Sequence, residues 1–125
     1  MKKLFCLTLF LTLVLAGCNS SELSISEIQS VPNKVQEGIN SDYTLQLINE
    51  GENNAYILFQ SKGTVTAELE VKDNILNIKL DNANQENNEL KQYVYKLTRG
   101  KAEYDSILVL VNGQTMPFDN VTGFN

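Results

Sequence analysis

The chain has 125 residues, 42% of them hydrophobic and 20% charged, with a net charge of -5 and neither histidine nor tryptophan. An acidic balance argues against nucleic acid and anionic lipid head groups as partners. The missing histidine removes the usual general base, the Ser-His-Asp and Cys-His nucleophile systems and the common zinc ligand sets.

In chain order, the first element is an export signal. Lys2 and Lys3 supply a short positive start, and Leu4 to Ala16 is apolar apart from two threonines and Cys6. That run of roughly 13 residues is shorter than the 18 or more expected of a spanning helix, and small residues close it. The closing stretch Leu15-Ala16-Gly17-Cys18 resembles the lipobox of bacterial lipoproteins. The resemblance implies a helical signal peptide over 1–17, recognised through Leu15, Ala16 and Gly17 and cleaved before Cys18, whose thiol carries a diacylglyceryl group. Two acyl chains anchor a protein stably where one does not, so the membrane would be met through the lipid on Cys18.

Cleavage would leave residues 18–125, with 8 basic against 15 acidic side chains and a charge of -7. Cys6 would leave with the signal and Cys18 would be acylated, so no thiol or disulfide would remain. The abundance of asparagine, and of lysine over arginine, resembles proteins of low-GC Gram-positive bacteria. This favours the outer face of the cytoplasmic membrane over an outer membrane.

Residues 18–41, with serines interleaved among acids, read as the lipidated N-terminus and a polar tether, in which Leu23, Ile25, Ile28 and Val31 could form a short strand or helical turn before Pro32. A β-domain is expected over 42–125. Tyr43, Leu45 and Leu47 alternate with polar residues, as do Val65, Ala67, Leu69 and Val71, and then Leu76, Ile78 and Leu80. A period of two is the pattern of half-buried strands. If Asp73-Asn74 is a two-residue hairpin turn, Val71 faces Leu76, Leu69 faces Ile78 and Ala67 faces Leu80, with Glu70 opposite Asn77 and Glu68 opposite Lys79. A slip of one residue would set apolar against polar throughout, so this register is well specified.

Asn112-Gly113 predicts a second hairpin, setting Val111 against Gln114, Val109 against Met116 and Ile107 against Phe118. The strand over 107–111 is apolar on both faces and should be central. Pro117 has no amide donor and marks an edge strand at Thr115 to Phe118. Further strands are expected at 55–60 and 91–98. The expected fold class is therefore all-β, with about seven short antiparallel strands in a sandwich or small open barrel.

Candidate chemistry is sparse. Glu68 and Glu70 share a strand face at roughly 6–7 Å, a spacing compatible with a paired-carboxylate site; solvated surface acids fit the same pattern. In the loop over 81–89, Asn82, Asn84, Glu86 and Asn88 offer alternating oxygens for calcium, without the turn glycine and closing glutamate of the helix-loop-helix site. Tyr56, Tyr93, Tyr95 and Tyr104 could form an aromatic ligand face, although at least two must be core on any sheet. Lys62-Gly63-Thr64 lacks the spacing of a phosphate-binding loop and reads as a turn. No cofactor is called for.

The segments Ser61 to Thr66, Lys91 to Lys96 and Val111-Asn112-Gly113 resemble small secreted or lipid-anchored proteins of Gram-positive bacteria. The resemblance carries no catalytic motif. The resulting expectation is a non-catalytic interaction or ligand-binding module with an extracytoplasmic protein partner. Two alternatives are a calcium or small-ligand sensor and an enzyme or folding helper such as a prolyl isomerase.

Overall fold

Nine strands and one short helix make up the computed structural model, which describes residues 23–83, 89–100 and 103–124. In chain order they are β1 (Ser24–Glu27), α1 (Asn33–Gly38), β2 (Leu45–Glu50), β3 (Asn54–Ser61), β4 (Thr64–Lys72) and β5 (Ile75–Ala83). They continue with β6 (Lys91–Thr98), β7 (Ser106–Val111), β8 (Gln114–Met116) and β9 (Asn120–Phe124). One sheet runs β1-β6-β3-β2-β9 and the other β4-β5-β7-β8. The fold is all-β, a two-sheet sandwich rather than a closed barrel.

The main core lies between the sheets. Leu45, Leu47, Ala55, Ile57, Phe59, Tyr93, Tyr95 and Leu97 from the first sheet meet Val65, Leu76, Ile78, Leu80 and Val109 from the second. A second apolar layer covers the outer face of the first sheet, where Val35 of α1 packs on Ile48, Tyr56, Leu58 and Val94. Because β2 and β3 are covered on both sides, their sequences are apolar at successive positions, as expected of strands with no wet face. β4 alternates because its outer face is exposed.

Both hairpins form where the turn chemistry placed them. Val71, Leu69 and Ala67 face Leu76, Ile78 and Leu80, and Glu70 and Glu68 face Asn77 and Lys79. Asp73 and Asn74 have φ of 53° and 67°, the left-handed pair of a type I′ turn whose twist matches the flanking strands. Asn112 and Gly113, at 52° and 84°, make a second such turn, pairing Val111 with Gln114 and Val109 with Met116. The pairing of Ile107 with Phe118 does not form: β8 stops at Met116, just before Pro117, which cannot donate to a ladder. β7 lies inside its sheet and β8 at an edge, as expected.

Three features depart from the sequence reading. The strands are not all antiparallel: β9 runs parallel to β2, and β7 parallel to β5. The crossover from β5 to β7 passes through β6 in the opposite sheet. The segment up to residue 41, where a short strand or helical turn is one of the readings, joins the domain from its first described residues onward. β1 pairs with β6, and the Ile28 amide donates to the Val94 carbonyl at 2.9 Å. The physical reason is a division of its sparse apolar residues: Leu23 and Ile25 reach the inter-sheet core, while Ile28, Val31, Val35 and Ile39 reach the outer layer. α1 has no side-chain cap and only six residues, so burial of Val35, worth about 2 kcal/mol, holds it more than helix propensity does.

The third departure is Gln46, which the alternation of 43–47 directs to water but which is only 1% exposed. Its Nε2 donates to the Gly38 carbonyl and its Oε1 accepts from the Asn40 amide, both at 3.1 Å. On the next strand Gln60 Nε2 donates to the Ser41 and Tyr43 carbonyls. Two strand amides thus hold the chain after α1 against the sheet. At the far edge, Asp119 Oδ2 accepts from the Thr44 and Leu45 amides and steers the chain into β9. A Cβ at Gly123 would come within 3.2 Å of Asn49, so glycine permits the close β2–β9 approach there.

Candidate functional site

A groove of about 330 Å³ lies on the outer face of the second sheet. Strand alternation and register assemble it. Thr66 stands opposite Asp81, and Glu68, Lys79 and Leu110 form one row across β4, β5 and β7. Asn112 and Gly113 close one end. The floor at Leu110 is apolar, and the rim carries two carboxylates, one ammonium and a turn amide.

The ion pair here is diagonal. Lys79 Nζ lies 2.8 Å from Glu70 Oε1, one row along from the Glu68 directly across. Hydrogen bonding and charge from Lys79 hold the Glu70 carboxyl below its usual range, and the same contact raises the Lys79 ammonium. Both side chains are close to half exposed, so the pair contributes little to stability. Glu68 and Glu70 do share a face, as expected, but Glu70 is engaged with a lysine rather than with a second acid.

The end of the groove is stapled. Asn112 Oδ1 accepts from the Asn82 amide at 2.8 Å, and Asn112 Nδ2 donates to the Asn82 carbonyl at 3.1 Å. The Ser61 hydroxyl donates to Asn82 Oδ1 at 2.7 Å and accepts from the Gly63 amide. Asn82 therefore sits in β5 with its side-chain oxygen already bonded. Asn84, Glu86 and Asn88, the other three oxygens considered for calcium, lie outside the described residues. Among the described residues, no three His, Cys, Asp or Glu side chains are arranged to hold a metal. Lys62-Gly63-Thr64 forms the β3–β4 turn.

The tyrosines do not form a ligand face. Tyr93 and Tyr95 project into the inter-sheet core and donate to the Gly63 and Val65 carbonyls, at 2.6 and 3.2 Å. Tyr56 lies in the outer layer and donates to Glu50 Oε1 at 2.9 Å. Burial, reinforced by Glu50, pushes the Tyr56 phenol up to about 12; burial, then Glu27 and Tyr93, does the same to Tyr95. Tyr104 is half-buried against the core. Sequence reasoning found Glu68 and Lys79 but missed Leu110 and Asn112 as their neighbours, because only the parallel β5–β7 pairing brings them together.

Leu15, Ala16, Gly17 and Cys18 lie outside the described residues. No helix among the described residues is long and apolar enough to cross a membrane. No protein-family model, no curated protein and no solved structure matches the chain.

Proposed function

We propose that the chain is a lipid-anchored extracytoplasmic protein whose β-sandwich is a non-catalytic interaction or ligand-binding module. The observation that carries the reading is Leu15-Ala16-Gly17-Cys18, placed at the end of an apolar run behind Lys2-Lys3. Acylation of Cys18 would hold the mature protein on the outer face of the cytoplasmic membrane. The start of β1 at Ser24 supports a close tether: six extended residues span only roughly 20 Å. The end of the sandwich near the bilayer would be the one where Ser24, Asn54 and Thr98 meet, with Glu50 and Phe124 beside them.

The interaction role is supported by the uncovered outer face of the second sheet, where an apolar floor is rimmed by polar groups able to orient a bound surface. The test is the mass of the mature N-terminus together with membrane fractionation of the wild type and a Cys18→Ser variant. A diacylglyceryl adduct on Cys18, and release of the variant from the membrane fraction, is the expected result. An unmodified Cys18, or a variant retained like the wild type, would overturn the anchor. In-cell crosslinking of the anchored protein then identifies the partner.

A further inference from the structure

We infer that Asn112 is a gated deamidation site, inert while its carboxamide is fastened to β5 and reactive toward the Gly113 amide once that fastening opens. Asn112-Gly113 is the one Asn-Gly pair in the sequence. The reaction takes only hydroxide and water. The Gly113 amide nitrogen gives its proton to hydroxide and attacks Asn112 Cγ. A Cγ–N bond forms, the Cγ–Nδ2 bond breaks, and Nδ2 leaves as ammonia. Water then opens the cyclic imide. Cleavage at Cγ yields aspartate, and cleavage at the main-chain carbonyl yields isoaspartate, whose backbone runs through the former side chain. One water is consumed, one ammonia is released, and no group is oxidised or reduced.

Turn chemistry supplies the reactive half. Asn112 and Gly113 are the two central residues of the β7–β8 turn, with φ of 52° and 84°. The ladder bonds of this hairpin belong to Val111 and Gln114, so the Gly113 nitrogen lies outside the ladder. Glycine has no Cβ to shield that nitrogen, and a Cβ placed there would meet nothing within 4 Å. The residue that lets the chain turn here is thus also the one that leaves the attacking atom open.

Sheet packing withholds the other half. The order β4-β5-β7-β8 puts β5 on one side of Asn112 and the turn into β8 on the other. The carboxamide reaches toward β5, where Oδ1 accepts from the Asn82 amide at 2.8 Å and Nδ2 donates to the Asn82 carbonyl at 3.1 Å. The Asn112 amide donates to the Leu80 carbonyl at 2.9 Å, so backbone and side chain grip the same strand. Asn82 is itself secured, because the buried Ser61 hydroxyl donates to its Oδ1 and accepts from the Gly63 amide. Two hydrogen bonds of ordinary net strength bias Asn112 toward the closed form by roughly thirtyfold. Asn112 and Gly113 are both exposed, so release takes a local opening at the end of the sheet rather than unfolding.

Neither product keeps this end of the sheet intact. Aspartate has no donor for the Asn82 carbonyl and sets a carboxylate against it. Isoaspartate adds a backbone carbon inside a two-residue turn, so Val111 loses its register with Gln114. Both products alter the groove end formed by Asn112 and Gly113 and add a negative charge near Asp81. β8 is held over only three residues, so isoaspartate should release it and lift Met116 from the core.

The test follows residue 112 in the full chain and in an end-blocked peptide of residues 110–115, in one mildly alkaline buffer. Peptide mapping by mass spectrometry separates asparagine, aspartate and isoaspartate. Amide exchange in the same buffer reports two openings: that of the Asn82 amide, which the Asn112 carboxamide holds, and that of the Leu58 amide inside β3, which reports global unfolding. Deamidation should run roughly thirtyfold slower in the chain than in the peptide, by the same factor that protects the Asn82 amide. A chain that reacts as fast as the peptide would overturn the gate. Slowing by the full Leu58 factor would also overturn it, because only global unfolding would then admit the reaction. No variant has to fold for either outcome. The isolated isoaspartate form should lose protection at the Met116 amide; full retention would overturn the release of β8.

Discussion

Replacing Gln46 with leucine is the most direct test of the claim that the segment before β2 is part of the domain. The side chain is almost fully buried, and its two hydrogen bonds reach across to the chain leaving α1. Leucine keeps most of the volume and removes both bonds. The Gly38 carbonyl and the Asn40 amide then lose their partners. A buried unsatisfied group costs about 1–3 kcal/mol, but Asn40 is exposed and Gly38 only half-buried, so water recovers part of that loss. The net cost should be about 2 kcal/mol. For a domain of about 100 residues this lowers Tm by roughly 8–15 °C. Thermal melts of the full chain give the global effect. Amide exchange gives the local one: the Gln36 and Ile39 amides, bonded to Pro32 and Gln36 carbonyls, should open first. An unchanged Tm with unchanged exchange over 33–40 would refute the idea that Gln46 fastens this segment.

Tyr93→Phe deletes the hydroxyl that caps the Gly63 carbonyl and should cost about 1 kcal/mol, seen as a lower urea midpoint at constant m-value. Stability should also fall at high pH. Tyr56 and Tyr95 titrate at about 12 in the folded protein, against about 10 unfolded. The raised values mean that the folded state keeps protons the unfolded state releases. Their stabilisation is complete below pH 10 and lost as pH rises toward 12; a urea midpoint flat from pH 9 to 12 would contradict it. At the β4–β5 turn, Asn74→Val should cost about 1–2 kcal/mol because a β-branched residue resists a φ of 67°, while Asn74→Gly should be neutral or better. Equal melting temperatures for the two would show that the turn relaxes.

Local chemistry is what made parts of this fold legible. Asp73-Asn74 and Asn112-Gly113 join neighbours in sequence, so the alternation on either side defines register without knowledge of the rest of the chain. The β2–β9 and β5–β7 pairings carry no such signal. β9 follows β2 by more than seventy residues, and its Val121 is 55% exposed, so its pattern gives little sign of a buried strand. Gln46 was misread for a related reason: alternation presumes a wet face, and α1 covers the one it points to. The candidate groove was half legible. Glu68 and Lys79 follow from the hairpin, whereas Leu110 reaches them through a parallel pairing that local patterning does not encode.

The four sheet edges differ in how much open ladder they leave. β8 is three residues long and is followed by Pro117, so it offers almost no ladder. β1 is four residues long and runs directly into the segment that leads to α1. β9 is five residues long and carries Lys34 of α1 over its Phe124 ring. Short length, a proline and covering side chains are ordinary ways to blunt an edge. β4 differs between its halves: tyrosine hydroxyls cap the Gly63 and Val65 carbonyls, and beyond them Glu68 and Glu70 stand beside Lys79. Lysines at 68 and 70 would crowd Lys79, which pairs with Glu70 and lies directly across from Glu68, so the sign of the charge there follows from the β4–β5 ladder itself.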